Sequence, residues 1–243
     1  MHICYLNQVM FLFWEKLMSF DFTPFILSFK LAFIVTCFLL LIGIPYAWYL
    51  SVSKSKIKPF LEALTALPIV LPPSVLGFYL LVFLAPDSFI GKIAEELFDV
   101  KLIFSFPGLV VASCIYSFPF MIQPIQSGFE SINKNIIEAS YLSGKGRIIT
   151  LFKVILPNIK PSLLTAIIIT FAHTLGEFGV VLMVGGSIPG KTEVASVAIY
   201  DYVENLEYHK AHIYSAILLA ISFLVLFTVY YINYKQKRKY DFY

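Results

Sequence analysis

The sequence is short of charge: only 14% of its 243 residues are Asp, Glu, Lys or Arg, against about 25% in soluble domains. That shortage, beside a hydrophobic share of 59%, excludes a soluble globule, which could not hide so much apolar surface. It also excludes disorder, since chains that stay unfolded are weakly hydrophobic and rich in charge. The net charge is only +3, too small to argue for nucleic acid as a partner. Cysteine is scarce too: Cys4, Cys37 and Cys114 form no C-x-x-C pair, and two lie in long apolar runs, so they read as small buried hydrophobes. Nothing here asks for a disulfide, a metal or a cofactor held by the chain itself. There is no internal repeat and no low-complexity tract. What remains is an all-α polytopic membrane protein, with the lipid bilayer as its solvent.

A hydrocarbon core of about 30 Å takes roughly 20 apolar residues at 1.5 Å each. Leu31 to Leu50, Ala63 to Ala85, Leu102 to Phe129 and Ile213 to Tyr234 are uncharged runs of that length. A fifth run, Pro161 to Gly190, is long enough but carries His173 and Glu177. Five transmembrane helices are therefore expected. Lys54, Lys56, Lys58, Lys134, Lys145, Arg147, Lys153, Lys160, Lys235, Lys237, Arg238 and Lys239 all fall on one side of them, while the opposite connections hold only Lys92, Lys101, Lys191 and Lys210, with Lys16 and Lys30 left over near the N-terminus. The basic side is cytoplasmic, which puts the N-terminus outside and the C-terminus inside. Residues 23–234 then form the transmembrane domain, with a cytoplasmic loop at about 131–157 and a basic tail at 235–243. In residues 1–22, Ile3 to Trp14 is apolar but too short to cross, and Glu15-Lys16 interrupts it. This stretch reads either as an interfacial stub anchored by Trp14 or as an extension upstream of a start at Met18.

Two of the expected spans are interrupted. Pro68, Pro72 and Pro73 fall in the second, and each proline removes an N–H and crowds the preceding turn. Counted at helical rise from Leu61, Pro73 lies about 18 Å into the bilayer. Backbone freed at that depth must face protein or a watery cavity, as at the binding sites of transport proteins. The other reading is a plain proline kink relieved by Ser74. In the fifth run, Ala172-His173-Thr174-Leu175-Gly176-Glu177-Phe178-Gly179 places an acid in a span, which is costly and by default functional. Glu177 either lines the pathway or serves as a structural or gating acid, paired with His173 four residues away or capping a break beside Gly176 and Gly179. A bare carboxylate would repel an anionic cargo, which favours the structural or gating role.

Gly185-Gly186-Ser187-Ile188-Pro189-Gly190-Lys191-Thr192 matches the nucleotide-loop pattern G-x-x-x-x-G-K-[ST] letter for letter. That loop works between a buried strand and a helix. Here it follows a membrane helix and lies outside by the charge count, and no strand ending in Asp accompanies it. Nucleotide binding by Gly185 to Thr192 is rejected, although Lys191 could still touch an outer partner.

In the cytoplasmic loop the chain reads Glu138-Ala139-Ser140-Tyr141-Leu142-Ser143-Gly144, then nine residues, then Val154-Ile155-Leu156-Pro157. This resembles the E-A-A-x3-G-x9-I-x-L-P signature of bacterial ABC-importer permeases. Glu138, Ala139, Gly144, Leu156 and Pro157 match in spacing, with Ser140 in place of Ala and Val154 in place of Ile. Ile136, Ile137, Ser140, Tyr141 and Gly144 recur at helical spacing and offer a narrow apolar docking face. From about Met18 to Tyr234 the chain resembles the permeases of molybdate importers, through Leu67 to Pro73, Leu175 to Gly179, Ile188 to Thr192 and Ala198-Ile199-Tyr200. Sulfate and tungstate permeases are similar to it over the same segments.

The resemblance implies the type I importer permease fold, with a cytoplasmic coupling helix, in a bacterial inner membrane. It implies a second copy of the chain, cytoplasmic ABC ATPase subunits that use ATP and Mg²⁺, and an extracytoplasmic molybdate-binding protein. Glu138, Ala139, Ser140, Gly144, Leu156 and Pro157 would couple to the ATPase. Pro72, Pro73, Ser74, His173, Glu177 and Gly179 would be the pathway or gate. The chain itself would catalyse nothing. Two other classes compete. An intramembrane enzyme using His173 and Glu177 lacks both the three ligands of a catalytic zinc and an H-E-x-x-H motif, and a proton-driven secondary transporter using Glu177 would need no ATPase.

Overall fold

A computed structural model describes residues 21–240, the side chains of residue 229 and residues 232–240 excepted. The expected N-terminal stub and the side chains of the basic tail therefore lie almost wholly outside the described residues. The described chain is helical throughout. Its elements are α1 (Thr23–Val52), α2 (Lys58–Val70), α3 (Pro73–Leu84), α4 (Phe89–Phe98), α5 (Phe106–Glu130), α6 (Lys134–Leu142) and α7 (Arg147–Thr150). A π-helical stretch (Leu151–Ile155) follows, then α8 (Leu156–Asn158), α9 (Lys160–Leu175), α10 (Gly179–Gly185), α11 (Ala195–Glu204) and α12 (Tyr208–Tyr240).

Three helices are long and apolar enough to cross a membrane unbroken: α1, α5 and the Tyr208–Thr228 part of α12. Two bent pairs bring the number to five if each counts as one span, with α2 and α3 meeting at 111° and Arg147–Asn158 meeting α9 at 75°. The first span begins at Thr23, not at Leu31. Pro24 supplies the fixed φ that suits a first helical turn, and Lys30 does not end the span because its ammonium lies 4.8 Å from the centre of the Phe106 ring. The third starts at Phe106, not Leu102, where Ser105 caps the helix by accepting from the Gly108 N–H. The fifth run is not one helix from Pro161 to Gly190, because α9 stops at Leu175 and the chain turns before α10 resumes at Gly179.

Helix α5 is the hub. It packs along α1 and α9 and also meets α2 and α10. Leu31, Val35 and Leu39 of α1, Met121, Ile122 and Ile125 of α5, and Ala166 of α9 form one continuous core. Gly43 of α1 makes the closest approach possible there, since a Cβ would stand 3.1 Å from Met121 Cγ. A second cluster joins Leu76, Leu80 and Leu84 of α3 to Ala112 of α5 and to Val180 and Val184 of α10. At the end bearing the α1–α2 turn, the Lys58 ammonium lies 3.2 Å from the Glu130 carboxylate, and Gln126 donates to Glu62 at 2.6 Å, closing α2 onto α5. Helix α12 keeps Leu219, Phe223, Leu224 and Phe227 exposed, the uniformly apolar surface expected of a helix whose solvent is lipid.

Candidate functional site

The two interrupted segments meet. Prolines at 68, 72 and 73 leave the carbonyls of Leu64, Pro68 and Ile69 without their helical donors, and α2 gives way to α3 at Leu71-Pro72. Gly179, where α10 begins, sits against that break so closely that a Cβ would lie 2.7 Å from Pro73 Cβ. One turn further on, a Cβ on Gly77 would stand 2.8 Å from Met183 Cβ. Glycine at 77 and 179 is what lets α3 and α10 cross at this separation. Pro72, Pro73 and Ser74 are exposed on the outer surface of this crossing, together with Ile69 and Val70.

Glu177 lies inside it. The carboxyl is only 4% exposed, in the non-helical turn between α9 and α10. Ser113 of α5 is the polar side chain facing it, but it stands outside hydrogen-bonding geometry. The Ser113 hydroxyl and both Glu177 carboxyl oxygens are thus buried without a partner. The main chain is better held, since Ser196 of α11 donates its hydroxyl to the Glu177 carbonyl at 2.5 Å.

His173 goes elsewhere. Because α9 ends at Leu175, the four-residue spacing does not bring His173 to Glu177. Its Nδ1 lies 3.0 Å from Ser117 Oγ, which is 2.9 Å from Thr174 Oγ1. The ring stacks on Phe120 at 4.0 Å and tilts against Tyr116 at 4.8 Å. This is a satisfied histidine that ties α9 to α5.

An apolar groove of about 950 Å³ opens beside the α2–α3 bend, between Ile42 and Tyr46 of α1, Pro68, and Val110 and Phe118 of α5. The hydroxyls at its wall are already paired, Tyr46 Oη with Thr65 Oγ1 at 2.9 Å. The groove offers a dianion no donor.

At the opposite end of the bundle is the loop signature. Asn133 caps α6 by accepting from the Asn135 N–H. Gly144 follows the helix at φ 77, with nothing within 4 Å of where its Cβ would be, which makes it the residue that permits the left-handed turn. Glu138 and Ala139 are exposed. Ser140 is not on the docking face read from the spacing: its side chain is buried and lies 2.9 Å from Thr150 Oγ1, tying α6 to α7. Ile137 is half-buried, and Gly144 lies past the helix end. Ile136 and Tyr141 of that face are exposed, and the apolar side chains beside them are Leu142, Ile148, Ile149 and Phe152. Leu156 and Pro157 form the short α8, set off from α9 by Ile159 at the 75° bend.

The Gly185 to Thr192 loop closes on itself. The N–H groups of Lys191, Thr192 and Glu193 all donate to the Ile188 carbonyl, and that of Gly186 donates to Leu182. Thr192 Oγ1 accepts from the Ile188 N–H and donates to the Gly185 carbonyl. Ser187 donates to Asp201. The amides of Gly186, Ile188, Lys191 and Thr192, which a nucleotide loop would turn toward phosphate, are thus already paired.

A bundle of spanning helices with two internal breaks, and a loop helix presenting its apolar face away from the spans, defines an integral-membrane permease subunit. The chain belongs to the family described as "Binding-protein-dependent transport system inner membrane component", which matches residues 39–237. It is 47% identical to the "Molybdenum transport system permease protein ModB" of Azotobacter vinelandii, over 84% of this chain and 90% of that one. It is 32% identical to the "Sulfate transport system permease protein CysT" of Salmonella typhimurium, over 82% of this chain and 71% of that one. Among solved structures, an inward-facing methionine ABC transporter superposes with a TM-score of 0.70 at 18% identity, covering 91% of this chain and 98% of that one. A bacterial alginate importer also gives 0.70 at 16% identity, covering 91% of this chain and 82% of that one. At these identities the two structures speak for the fold alone.

Proposed function

We propose that this chain is the permease of an ATP-driven importer that carries molybdate across the inner membrane. The observation that carries the reading is the signature segment, an exposed helix with Glu138, Ala139 and an unobstructed Gly144 set beside Leu142, Ile148 and Phe152. The 47% identity to a molybdenum permease supports the cargo. Cytoplasmic ABC ATPase subunits take that surface into a groove, and ATP and Mg²⁺ are used there, not in this chain. The charge count supports an outer N-terminus and a cytoplasmic C-terminus. An extracytoplasmic molybdate-binding protein delivers the anion.

Two copies line one pathway. A single chain has no polar conduit among its described residues, and the exposed backbone at Pro72, Pro73 and Ser74 is suited to face a second copy across a wet space. Gly179 sits behind that surface and lets α10 close on α3, Glu177 is buried beside it, facing Ser113 of α5, and His173 anchors α9 to α5. Together they form the gate that ATP binding and release move. The ATP-bound state must favour one arrangement of this crossing, since a ligand bound equally to both states shifts nothing.

Sulfate is the second reading, supported by the 32% identity to a sulfate permease; tungstate shares the chemistry. The test is ATP-dependent uptake into vesicles holding the permease, its ATPase and its binding protein, with labelled molybdate against tungstate and sulfate as competitors. Molybdate uptake competed by tungstate alone establishes the reading, and sulfate uptake moves the cargo but keeps the mechanism. Uptake that persists without any ATPase subunit makes the chain a proton-driven transporter instead.

A further inference from the structure

The function above leaves Lys191 and the glycine-rich turn unused. Three separated pieces of chain converge beside them: the first turns of α1, the start of α5, and the turn itself. They line an open cavity of about 370 Å³ whose wall includes Lys30, Phe106, Gly190 and Lys191. This cavity lies at the end of the bundle opposite the coupling segment. The piece before α5 is held there by the Phe104 N–H, which donates to the Val184 carbonyl of α10 at 2.9 Å.

The charge at this cavity is one-sided. Lys30 is exposed, and its ammonium lies over the Phe106 ring at 4.8 Å, against the cavity wall. Neither Lys30 nor Lys191 forms an ion pair among the described residues, whereas Lys58, Lys101 and Lys210 each do. Glu193, Asp201 and Asp21, the acids beside this turn, are not among the residues lining the cavity. Burial, then the Asp201 and Asp21 carboxylates, push Glu193 above the usual carboxylate range, and Asp201 accepts from Ser187. The N-terminus of α5 opens on the same cavity and adds a positive dipole end. Gly190, at φ 72 with nothing within 4 Å of a would-be Cβ, leaves the mouth unobstructed.

We infer that Lys30 and Lys191 form a receiving site for a tetrahedral divalent oxyanion at the outer mouth of the permease. Two ammonium groups supply charge-assisted donors to separate oxygens of one anion. The volume equals about a dozen waters at ~30 Å³ each, so the anion enters with much of its hydration shell and is held weakly. A weak site suits a carrier, which must take the anion from its delivering protein and let it pass. The inference rests on the importer reading for its role, but not for its chemistry.

Two measurements separate them. The first is acylation of lysines in the assembled wild-type complex by a water-soluble amine reagent, read by mass spectrometry, with sodium molybdate against sodium chloride at equal ionic strength. Molybdate is expected to slow modification of Lys30 and Lys191 about threefold or more, while Lys210, paired with Glu207, is unaffected. The second is ATP-driven molybdate uptake by the double variant Lys30→Gln/Lys191→Gln across a range of loaded binding-protein concentrations. The maximal rate is expected to fall about fivefold or more, with the half-saturating concentration of binding protein unchanged and Lys→Arg at both positions restoring most of the rate. A raised half-saturating concentration at an unchanged maximal rate would make these lysines a docking contact for the binding protein and overturn the site. Protection in a wild type that transports no oxyanion keeps the site and removes the importer reading. Transport without protection, and without a rate loss in the double variant, removes the site. If the double variant does not assemble, protection of the wild type decides.

Discussion

The coupling segment and the crossing of the two breaks are built from the same small residues and prolines, and they use them in opposite ways. At the crossing, glycine is there because there is no room: a Cβ on Gly179 would collide with Pro73 at 2.7 Å. In the coupling segment, glycine is there with room to spare, since Gly144 and Gly146 have nothing within 4 Å. The same contrast holds for polar groups. Ser140 and Thr150 satisfy each other beneath an exposed apolar surface, whereas Ser113 and Glu177 are buried and unsatisfied. One region is complete inside and unfinished outside, as a surface awaiting a partner should be. The other is tightly packed yet polar at its centre.

The sharpest way to break that comparison is to damage the coupling surface without touching the bundle. Glu138→Arg should lower ATP-driven uptake about tenfold or more, with the protein still inserted and its thermal unfolding unchanged, because the position lies outside the core; Gly144→Asp should lower uptake as far while also costing some stability, because a non-glycine residue is strained at φ 77. Normal uptake in either variant would mean the segment does not couple. The reverse experiment pairs two alanines. Gly179→Ala should destabilise the permease by about 1–3 kcal/mol through overpacking against Pro73, while Gly146→Ala, at an ordinary φ of −71, should be close to neutral by the same thermal assay. Equal effects would erase the distinction between a glycine that is squeezed and one that is not.

A smaller effect tests the buried acid. Glu177→Gln keeps the shape and removes a carboxyl that has no partner, so unfolding temperature should hold or rise, and at least about half the uptake should remain, since no charge-pair is lost. A stable variant without uptake would turn Glu177 from a structural group into one that acts on protons or cargo. The smallest expected effect lies at the edge of the crossing, where Glu193 precedes α11. Its folded pKa is raised by burial and by the Asp201 and Asp21 carboxylates, so the folded state binds this proton more tightly than the unfolded chain. The stabilisation is therefore present at low pH and is lost as pH rises through the folded pKa. The unfolding temperature should increase as pH falls from neutral into the carboxylate range, and Glu193→Gln should flatten that part of the profile.

Much of this was legible in the sequence, for a physical reason: hydropathy runs and a spacing signature are local. The five runs, the break at Pro72-Pro73 and the loop helix around Glu138 all follow from residues close together in the chain. What was not legible is tertiary. Lys30 reads as the end of an apolar run until Phe106 is seen to take its ammonium. Pro73 and Gly179 are more than a hundred residues apart, and nothing local announces that the two breaks touch. His173 and Glu177 share a face only while the helix between them continues, and Gly176 ends it. Ser140 reads as part of a docking face because a helical count cannot know that Thr150 will fold back onto it.

The π-helical stretch at Leu151–Ile155 has a meaning for the way this chain tolerates change. Such a stretch holds one residue more than an α-helix would use over the same rise. Removing that residue would let the backbone relax into an unbroken α-helix, and everything on the loop side would swing by about 100° around the axis relative to α9. Leu142, Ile148 and Phe152 would then point a quarter turn or more away from where they point now, with every side chain still present. The angular phase between the docking surface and the membrane helices is therefore stored in the length of five residues, and this hairpin should accept substitutions in sequence far more readily than the loss or gain of a single position.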